Sequence, residues 1–193
     1  MCKHNEGNYW KTNSWNGRAT INCSGEGLHF EGNSINLTTI EFHHLKFLDT
    51  FLKADDVSLT VNNCLFGSFE KDTAFSNLIN VSVTKHVLGN LRINITSTNF
   101  LEKNNAGSVS VVNNQTVPVF VEIRNITVAN NYLKKTNRVI SLQGFVNFNF
   151  MNSEISNTKF SEKRSFFINP AYLVTFQSSF FVKNNVNDNI GPM

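Results

Sequence analysis

The sequence predicts an all-β fold that coils as a solenoid, and three observations favour it. Strand-like segments that alternate polar with apolar residues recur along the chain, for example SLTV, LINVSV and VPVFVEI. No segment of helical length keeps apolar residues at the helical period between capping residues. The 193 residues include 18 phenylalanines and 31 asparagines, a composition expected of short buried strands joined by tight corners. The length suits one domain with a substantial core.

An internal repeat is the second basis for a solenoid. Six stretches share a frame that begins with a polar and an apolar residue and ends with an apolar one. They are EFHHLKF (41–47), TVNNCLF (60–66), NITSTNF (94–100), EIRNITV (122–128), NFMNSEI (149–155) and TFQSSFF (175–181). A repeat of this length in an all-strand chain is typical of stacked coils that bury a continuous core.

The last position of the frame predicts an internal column. It holds Phe47, Phe66, Phe100, Val128, Ile155 and Phe181, at successive distances of 19, 34, 28, 27 and 26 residues. Coils stacked at the inter-strand spacing would place these side chains above one another. The long second interval leaves room for an irregular coil that carries LINVSV (78–83). The chain is therefore expected to form about six to seven coils.

Asparagines are expected at the corners, because asparagine tolerates a left-handed backbone. Asn104-Asn105, Asn130-Asn131, Asn157 and Asn184-Asn185 all follow the anchor positions. Three further asparagines share one position inside the frame and could form a ladder of amide hydrogen bonds between coils. They are Asn63, Asn125 and Asn152. The alternative is that asparagine is simply abundant.

The segment GRATINCSGEGLHF (17–30), followed by INLTTIEFHHLKF, resembles the opening of proteins in the pectin-lyase-like superfamily. Thr20, Ile21, Asn22, Cys23, Gly25 and Gly27 carry the resemblance, which extends over residues 17–186. It implies a single-stranded right-handed parallel β-helix. Residues 1–16 would then be an N-terminal cap or extension, and residues 187–193 a C-terminal tail. The resemblance supports a fold rather than an activity, because one fold hosts many functions.

Cysteine usage and charge restrict the protein class. Cys2, Cys23 and Cys64 are too few for a disulfide-dense scaffold. They allow one bridge with a free thiol, or three free thiols.

The net charge of +3 is small, and the charged residues are scattered, so nucleic-acid binding is not expected. No apolar run resembles a signal peptide or a membrane span. An extracellular or cell-surface location therefore requires a leader that precedes this chain.

The leading functional hypothesis is a non-catalytic binding or scaffold module of a secreted or cell-surface protein. Solenoids present long flat faces that suit extended ligands such as a polysaccharide or another protein surface. The alternative is a carbohydrate-active enzyme, a polysaccharide lyase or glycoside hydrolase, which needs carboxylates clustered on one face. The candidate acidic residues for that alternative are Asp49, Asp55, Asp56 and Asp72. The catalytic signatures of the resembled superfamily are absent, and no cofactor motif occurs.

The sequence does not predict a metal site. The possible metal ligands are His29, Glu31, Glu41, His43 and His44. A strand places only two of them on one face, which is too few for a metal site.

Six tripeptides fit the acceptor pattern for N-glycosylation, at Asn22, Asn36, Asn80, Asn94, Asn114 and Asn125. Random placement gives about as many matches in so asparagine-rich a chain. Asn114, in the loop-like NNQTVP, is the expected site if the protein is secreted.

Overall fold

The computed structural model describes residues 19–32, 37–67, 77–85, 90–101, 106–133, 138–160, 166–169, 173–182 and 185–186. All regular elements in these ranges are β-strands, and every strand pairing between them is parallel. In chain order the strands are β1 (Ala19–Glu31), β2 (Thr39–His43), β3 (Leu45–Asp55), β4 (Ser58–Asn62), β5 (Leu65–Gly67), β6 (Asn77–Val83), β7 (Arg92–Thr96), β8 (Asn99–Leu101), β9 (Gly107–Asn113), β10 (Val119–Arg124), β11 (Thr127–Ala129), β12 (Tyr132–Leu133), β13 (Ile140–Gly144), β14 (Val146–Met151), β15 (Glu154–Ser156), β16 (Lys159–Phe160), β17 (Phe166–Asn169), β18 (Leu173–Gln177), β19 (Phe180–Val182) and β20 (Asn185–Val186).

The strands stack as a parallel β-solenoid of about five turns. Strands β2, β4, β7, β10, β14 and β18 form one six-stranded sheet, which we call the second sheet. Among the described strands, a larger sheet is formed by β1, β3, β5, β6, β8, β9, β11, β13, β15, β17 and β19. This larger sheet divides at β3, whose first half pairs with β5 and whose second half pairs with β6. Strands β12, β16 and β20 form a small third sheet. A typical turn thus runs from the second sheet through two strands of the larger sheet and back.

The number of turns is slightly smaller than the six to seven expected from the sequence. Part of this difference in the number of turns concerns the segment LINVSV (78–83). The spacing of the last repeat positions predicts a separate irregular coil for this segment. These residues belong to β6, which follows β4 and β5 as the third strand of the same turn. The long interval between Phe66 and Phe100 therefore reflects longer connections within one turn.

The predicted aromatic column is present in the core. The rings of Phe47 and Phe66 stack with centroids 4.6 Å apart, and those of Phe66 and Phe100 with centroids 5.1 Å apart. All three side chains are fully buried. Val128 and Ile155 continue the column in register. The backbone of Phe181 pairs with that of Ile155 at the next position.

The fourth position of every repeat is a sharp bend with a left-handed backbone. Its φ is positive in His44, Asn63, Ser97, Asn125, Asn152 and Ser178, between 46° and 57°. The backbone N–H of Asn63 donates to the Thr96 carbonyl of the next turn, and the same hydrogen bond recurs up to Asn152. Non-glycine residues adopt this conformation at a cost that asparagine reduces. This backbone role explains the asparagines that share the position.

One side-chain hydrogen bond joins neighbouring turns at these bends, where Asn63 Nδ2 lies 2.8 Å from His44 Nδ1. Ser97 occupies the turn between Asn63 and Asn125, so the three predicted asparagines are not all in successive turns. Among the corner asparagines, Asn130 and Asn157 have the expected positive φ. Asn131 is instead buried and donates from Nδ2 to the Phe100 carbonyl. Asn104, Asn105 and Asn184 lie outside the described residues, while Asn185 begins β20.

Buried hydroxyl groups bridge successive turns immediately after the bends. Thr98 Oγ1 accepts a hydrogen bond from the Cys64 backbone N–H at 3.3 Å and donates to the Thr96 carbonyl at 2.9 Å. Ser153 Oγ accepts from the Ile126 N–H and donates to the Met151 carbonyl. Buried backbone donors need such partners where a bend interrupts the ladder. The small polar residues of this frame position are therefore structural.

Candidate binding groove

The outer face of the second sheet presents rows of polar side chains, one from each turn. Strands alternate their side chains between the core and the outside, as the burial of β10 shows: Val121 and Ile123 are buried, and Arg124 is exposed. The parallel register aligns the outward residues of successive strands. One row of six residues is Glu41, Thr60, Asn94, Glu122, Asn149 and Thr175.

A groove of about 240 Å³ crosses the later strands of this face. Its lining comes from β7, β10, β14 and β18, and combines charged, amide, hydroxyl and aromatic groups. The lining residues are Arg92, Asn94, Phe120, Val121, Glu122, Asn147, Phe148, Asn149, Leu173 and Thr175. A concave mixture of apolar surface and a few polar groups is typical of ligand sites.

Phe120 is held in place within the groove by a cation. The Arg92 guanidinium carbon lies 5.7 Å from the centre of the Phe120 ring. A guanidinium over a ring face is attracted by the ring quadrupole. Among the described residues, Arg92 forms no ion pair, whereas Glu122 pairs with Arg124 at 3.3 Å. Among the described residues, the groove therefore combines an oriented ring with one cation, Arg92, that has no ion-pair partner.

Two amide side chains of the groove have unused hydrogen-bonding capacity. The Oδ1 atoms of Asn147 and Asn149 are shielded from solvent and have no hydrogen-bond partner among the residues that the structure describes. Buried polar atoms are normally paired, and an exception calls for a physical reason. A ligand donor would reach either oxygen after the carboxamide rotates about its terminal torsion, which is a soft one.

The candidate carboxylates that lie within the described residues do not converge on this groove. Asp49 has a positive φ of 44° and forms the bend within β3. Asp55 lies at the end of β3, where its Oδ2 is 2.7 Å from both His29 Nε2 and Lys53 Nζ. Asp72 lies outside the described residues. Asp49 and Asp55 thus belong to the larger sheet rather than to the groove.

Two charged clusters stand on the edge of β1 and β3. Burial raises the pKa of Asp55, but the hydrogen bonds from Lys53 and His29 outweigh it, so the net pKa lies below the usual value. Lys85 Nζ contacts Glu31 Oε1 at 2.7 Å, and this hydrogen bond lowers the pKa of Glu31. The His29–Asp55 and Lys85–Glu31 contacts join residues of different turns, whereas Lys53 and Asp55 lie on the same strand.

Asp56 has a structural role that sequence reasoning missed. It is 1% exposed, and its carboxylate accepts hydrogen bonds from the backbone N–H groups of Thr84 and Lys85 and from the Thr84 hydroxyl. Its own N–H donates to the Ser82 carbonyl. The carboxylate thereby fixes the chain that leaves β6 against the end of β3.

The possible metal ligands form pairs rather than a cluster. His43 Nε2 lies 3.2 Å from Glu41 Oε2, and His29 contacts Asp55. Within the described part of the chain, no group of three or more His, Cys, Asp or Glu side chains could hold a metal ion.

The glycosylation acceptors differ in accessibility. Asn114 is exposed in the turn after β9, and Asn22 and Asn125 are exposed as well. Asn80 and Asn94 are half-buried within β6 and β7, and Asn94 lines the groove. Asn36 lies outside the described residues.

Of the cysteines, Cys23 is disulfide-bonded and Cys64 is a free buried thiol. Cys2 lies outside the described residues. This arrangement agrees with the alternative of one bridge and one free thiol.

Sequence reasoning did not single out the groove residues. The polar first position of the repeat contains Asn94, Glu122, Asn149 and Thr175, so alignment of the repeats could have indicated this row. Arg92, Phe120 and Asn147 lie two residues earlier, outside the repeated frame. They share the register of that row, but their residue types differ from turn to turn, so the repeat does not mark them.

The fold and the groove define a parallel β-solenoid with one mixed polar and aromatic outer face. No protein-family model, curated protein or solved structure matches this chain. In the described residues, no helix has the length and apolar character needed to cross a membrane.

Proposed function

We propose that this chain is a non-catalytic binding module that holds a carbohydrate chain in the groove of the second sheet. The observation that carries the proposal is the combination of the Phe120 ring, oriented by Arg92, with the unsatisfied amides of Asn147 and Asn149. Sugars offer an apolar C–H face for an aromatic ring and hydroxyl groups for amides. A protein surface is the other ligand class that a long flat solenoid face suits.

The positions of the carboxylates favour binding over catalysis. Asp56 is buried and uses its carboxylate for three hydrogen bonds. Asp55 is paired with both Lys53 and His29. A glycoside hydrolase instead needs two carboxyl groups that face one bond of the substrate. A carbohydrate-active enzyme remains the alternative, and product formation from a polysaccharide panel would establish it.

We place the module in a secreted or cell-surface protein. A disulfide at Cys23 is expected to persist in an oxidising compartment. Asn114, in an exposed turn, is then the preferred acceptor for an N-linked glycan. Treatment of the secreted protein with a glycosidase that removes N-glycans should reduce its mass, and Asn114→Gln should abolish most of that reduction.

The binding proposal is tested by screening the full chain against immobilised neutral and acidic polysaccharides, followed by calorimetry with the best ligand. Phe120→Ala should weaken binding by roughly three- to tenfold, since aromatic contacts contribute about 0.5–1.5 kcal/mol beyond their area. Phe167→Ala is the matched control, because Phe167 is an outward residue of β17 in the other sheet. Equal loss in both variants, or no saccharide binding at all, would contradict the proposal.

A further inference from the structure

Strand β18 leaves the core open at one end of the described solenoid. It pairs with β14 on one side and is the edge of the second sheet. Val174 and Phe176 occupy the same register as Phe148 and Phe150. Yet Val174 is 36% and Phe176 47% exposed, whereas Phe148 and Phe150 are 2% and 0% exposed.

The exposed apolar surface is concentrated in this one strand. Among the described residues, the exposed large hydrophobic side chains are Leu37 and three residues of β18, of which Leu173 is 58% exposed. The Phe176 ring also contacts the rings of Phe148, Phe150 and Phe166, so the surface continues directly into the core. Continuous apolar surface of this kind marks an association site.

The strand also lacks the features that normally prevent edge pairing. Its sequence, LVTFQ, contains no charge and no proline, and all five residues are exposed. The N–H and C=O groups on the open side of such an edge are available to a further strand.

We propose that β18 pairs antiparallel with β18 of a second copy of this chain, about a two-fold axis through Thr175. In this register Val174 lies opposite Phe176 of the second copy, and both face the core side, as the period of a strand requires. Leu173 lies opposite Gln177 of the second copy on the outer side. Such an interface is self-complementary, so it covers both open ends and stops further growth.

The opposite edge of the second sheet is less suited to association. Strand β2 carries Glu41 and His43 on its outer side, and its inward Ile40 and Phe42 are only half-buried, not exposed. Phe42 also packs against Phe30 and Phe47. These features favour pairing of like ends over head-to-tail assembly.

The test is sedimentation velocity of the full chain over a wide concentration range, with substitutions at the two-fold axis. The native chain should shift from monomer to dimer and grow no further. Thr175→Lys and Thr175→Glu should each weaken association by roughly fivefold or more, because like charges would face each other across the axis. Thr175 is exposed, so the far-UV circular dichroism of both variants should remain that of the native chain.

Mixing the two variants is the decisive measurement, because lysine then faces glutamate and dimers should reappear as heterodimers. Thr60→Lys is the matched control, since Thr60 occupies the same outer row in an interior turn. It should associate like the native chain. A native chain that stays monomeric, growth beyond dimers, or a mixture that does not associate would each overturn the proposal.

Discussion

The ring of Phe66 lies nearly parallel to that of Phe100, with an interplanar angle of 15°, and the two residues are 34 positions apart in the chain. One turn of the solenoid separates the two residues, and β5 pairs with β8 so that Phe66 faces Phe100 directly. The contact therefore depends on the strand register, because a slip of either strand by one residue would move its own ring to the outer face.

We predict that Phe66→Ala lowers the free energy of unfolding by about 3–5 kcal/mol, the range for loss of a buried phenylalanine. Phe66 is flanked on both sides by stacked rings, so the cavity cannot collapse without moving Phe47 or Phe100. Urea unfolding monitored by circular dichroism measures the change. Phe167→Ala, on the outer face, should cost much less. Similar costs for both variants would contradict the stacked column.

The column and the bends could be predicted from the sequence because both follow a local repeat. Phe47, Phe66 and Phe100 recur at one frame position, and the histidine, asparagine or serine of the bend recurs three residues before it. The groove could not be predicted in this way. Arg92 and Phe120 lie two residues before the repeated frame, and the residue type at that position differs from turn to turn, so no repeat marks it in the sequence.

The carboxylates show a second limit of sequence reasoning. Asp55 and Asp56 are adjacent in the chain, but a positive φ of 56° at Asp56 separates their environments. Asp55 is half-buried beside Lys53 and His29, whereas Asp56 is buried against the chain after β6. Because His29 and Thr84 belong to different turns, composition alone could not distinguish the two carboxylates.

The buried hydroxyl of Thr98 should be essential to the contact between two turns. Thr98→Val keeps the side-chain shape but removes the acceptor for the Cys64 N–H. We expect a loss of about 1–3 kcal/mol in unfolding free energy, the cost of leaving a buried donor unpaired. Thr60→Val, on the outer row, is the control and should change stability by about 0.5 kcal/mol or less. Hydrogen exchange should also show faster exchange of the Cys64 amide in Thr98→Val only.

The left-handed bend at Asn125 predicts that a glycine substitution is less destabilising there than an alanine substitution. Its φ is 53°, and the residue is exposed, so the backbone conformation decides the effect. Asn125→Ala should destabilise the chain by about 1 kcal/mol, while Asn125→Gly should be nearly neutral, because glycine adopts positive φ without steric cost. At an ordinary strand position such as Asn149 the order should reverse, with glycine worse than alanine. Thermal unfolding of the four variants would reveal either order.

The contact of Asp55 with Lys53 and His29 predicts a stability that depends on acid pH. The folded-state pKa of Asp55 lies below its ordinary value of 3.8, so folding favours the ionised form. The carboxylate then contributes its stabilisation fully above that value, and the contribution is lost as the pH falls through the lower folded-state pKa. Asp55→Asn should therefore be less stable than the native chain at neutral pH, and the two should converge in strong acid.

Urea unfolding of both chains between neutral and strongly acidic pH measures this convergence. Glu154→Gln is a suitable control, because Glu154 is an exposed residue of β15 on another part of the surface. The unfolding free energy of Glu154→Gln should differ little from that of the native chain at every pH. If the stability difference between the native chain and Asp55→Asn did not change across the acid range, Asp55 would contribute through packing alone. A difference that shrinks only below the ordinary carboxyl pKa would show that Lys53, on the same strand, and His29, in the neighbouring turn, stabilise the charge of Asp55.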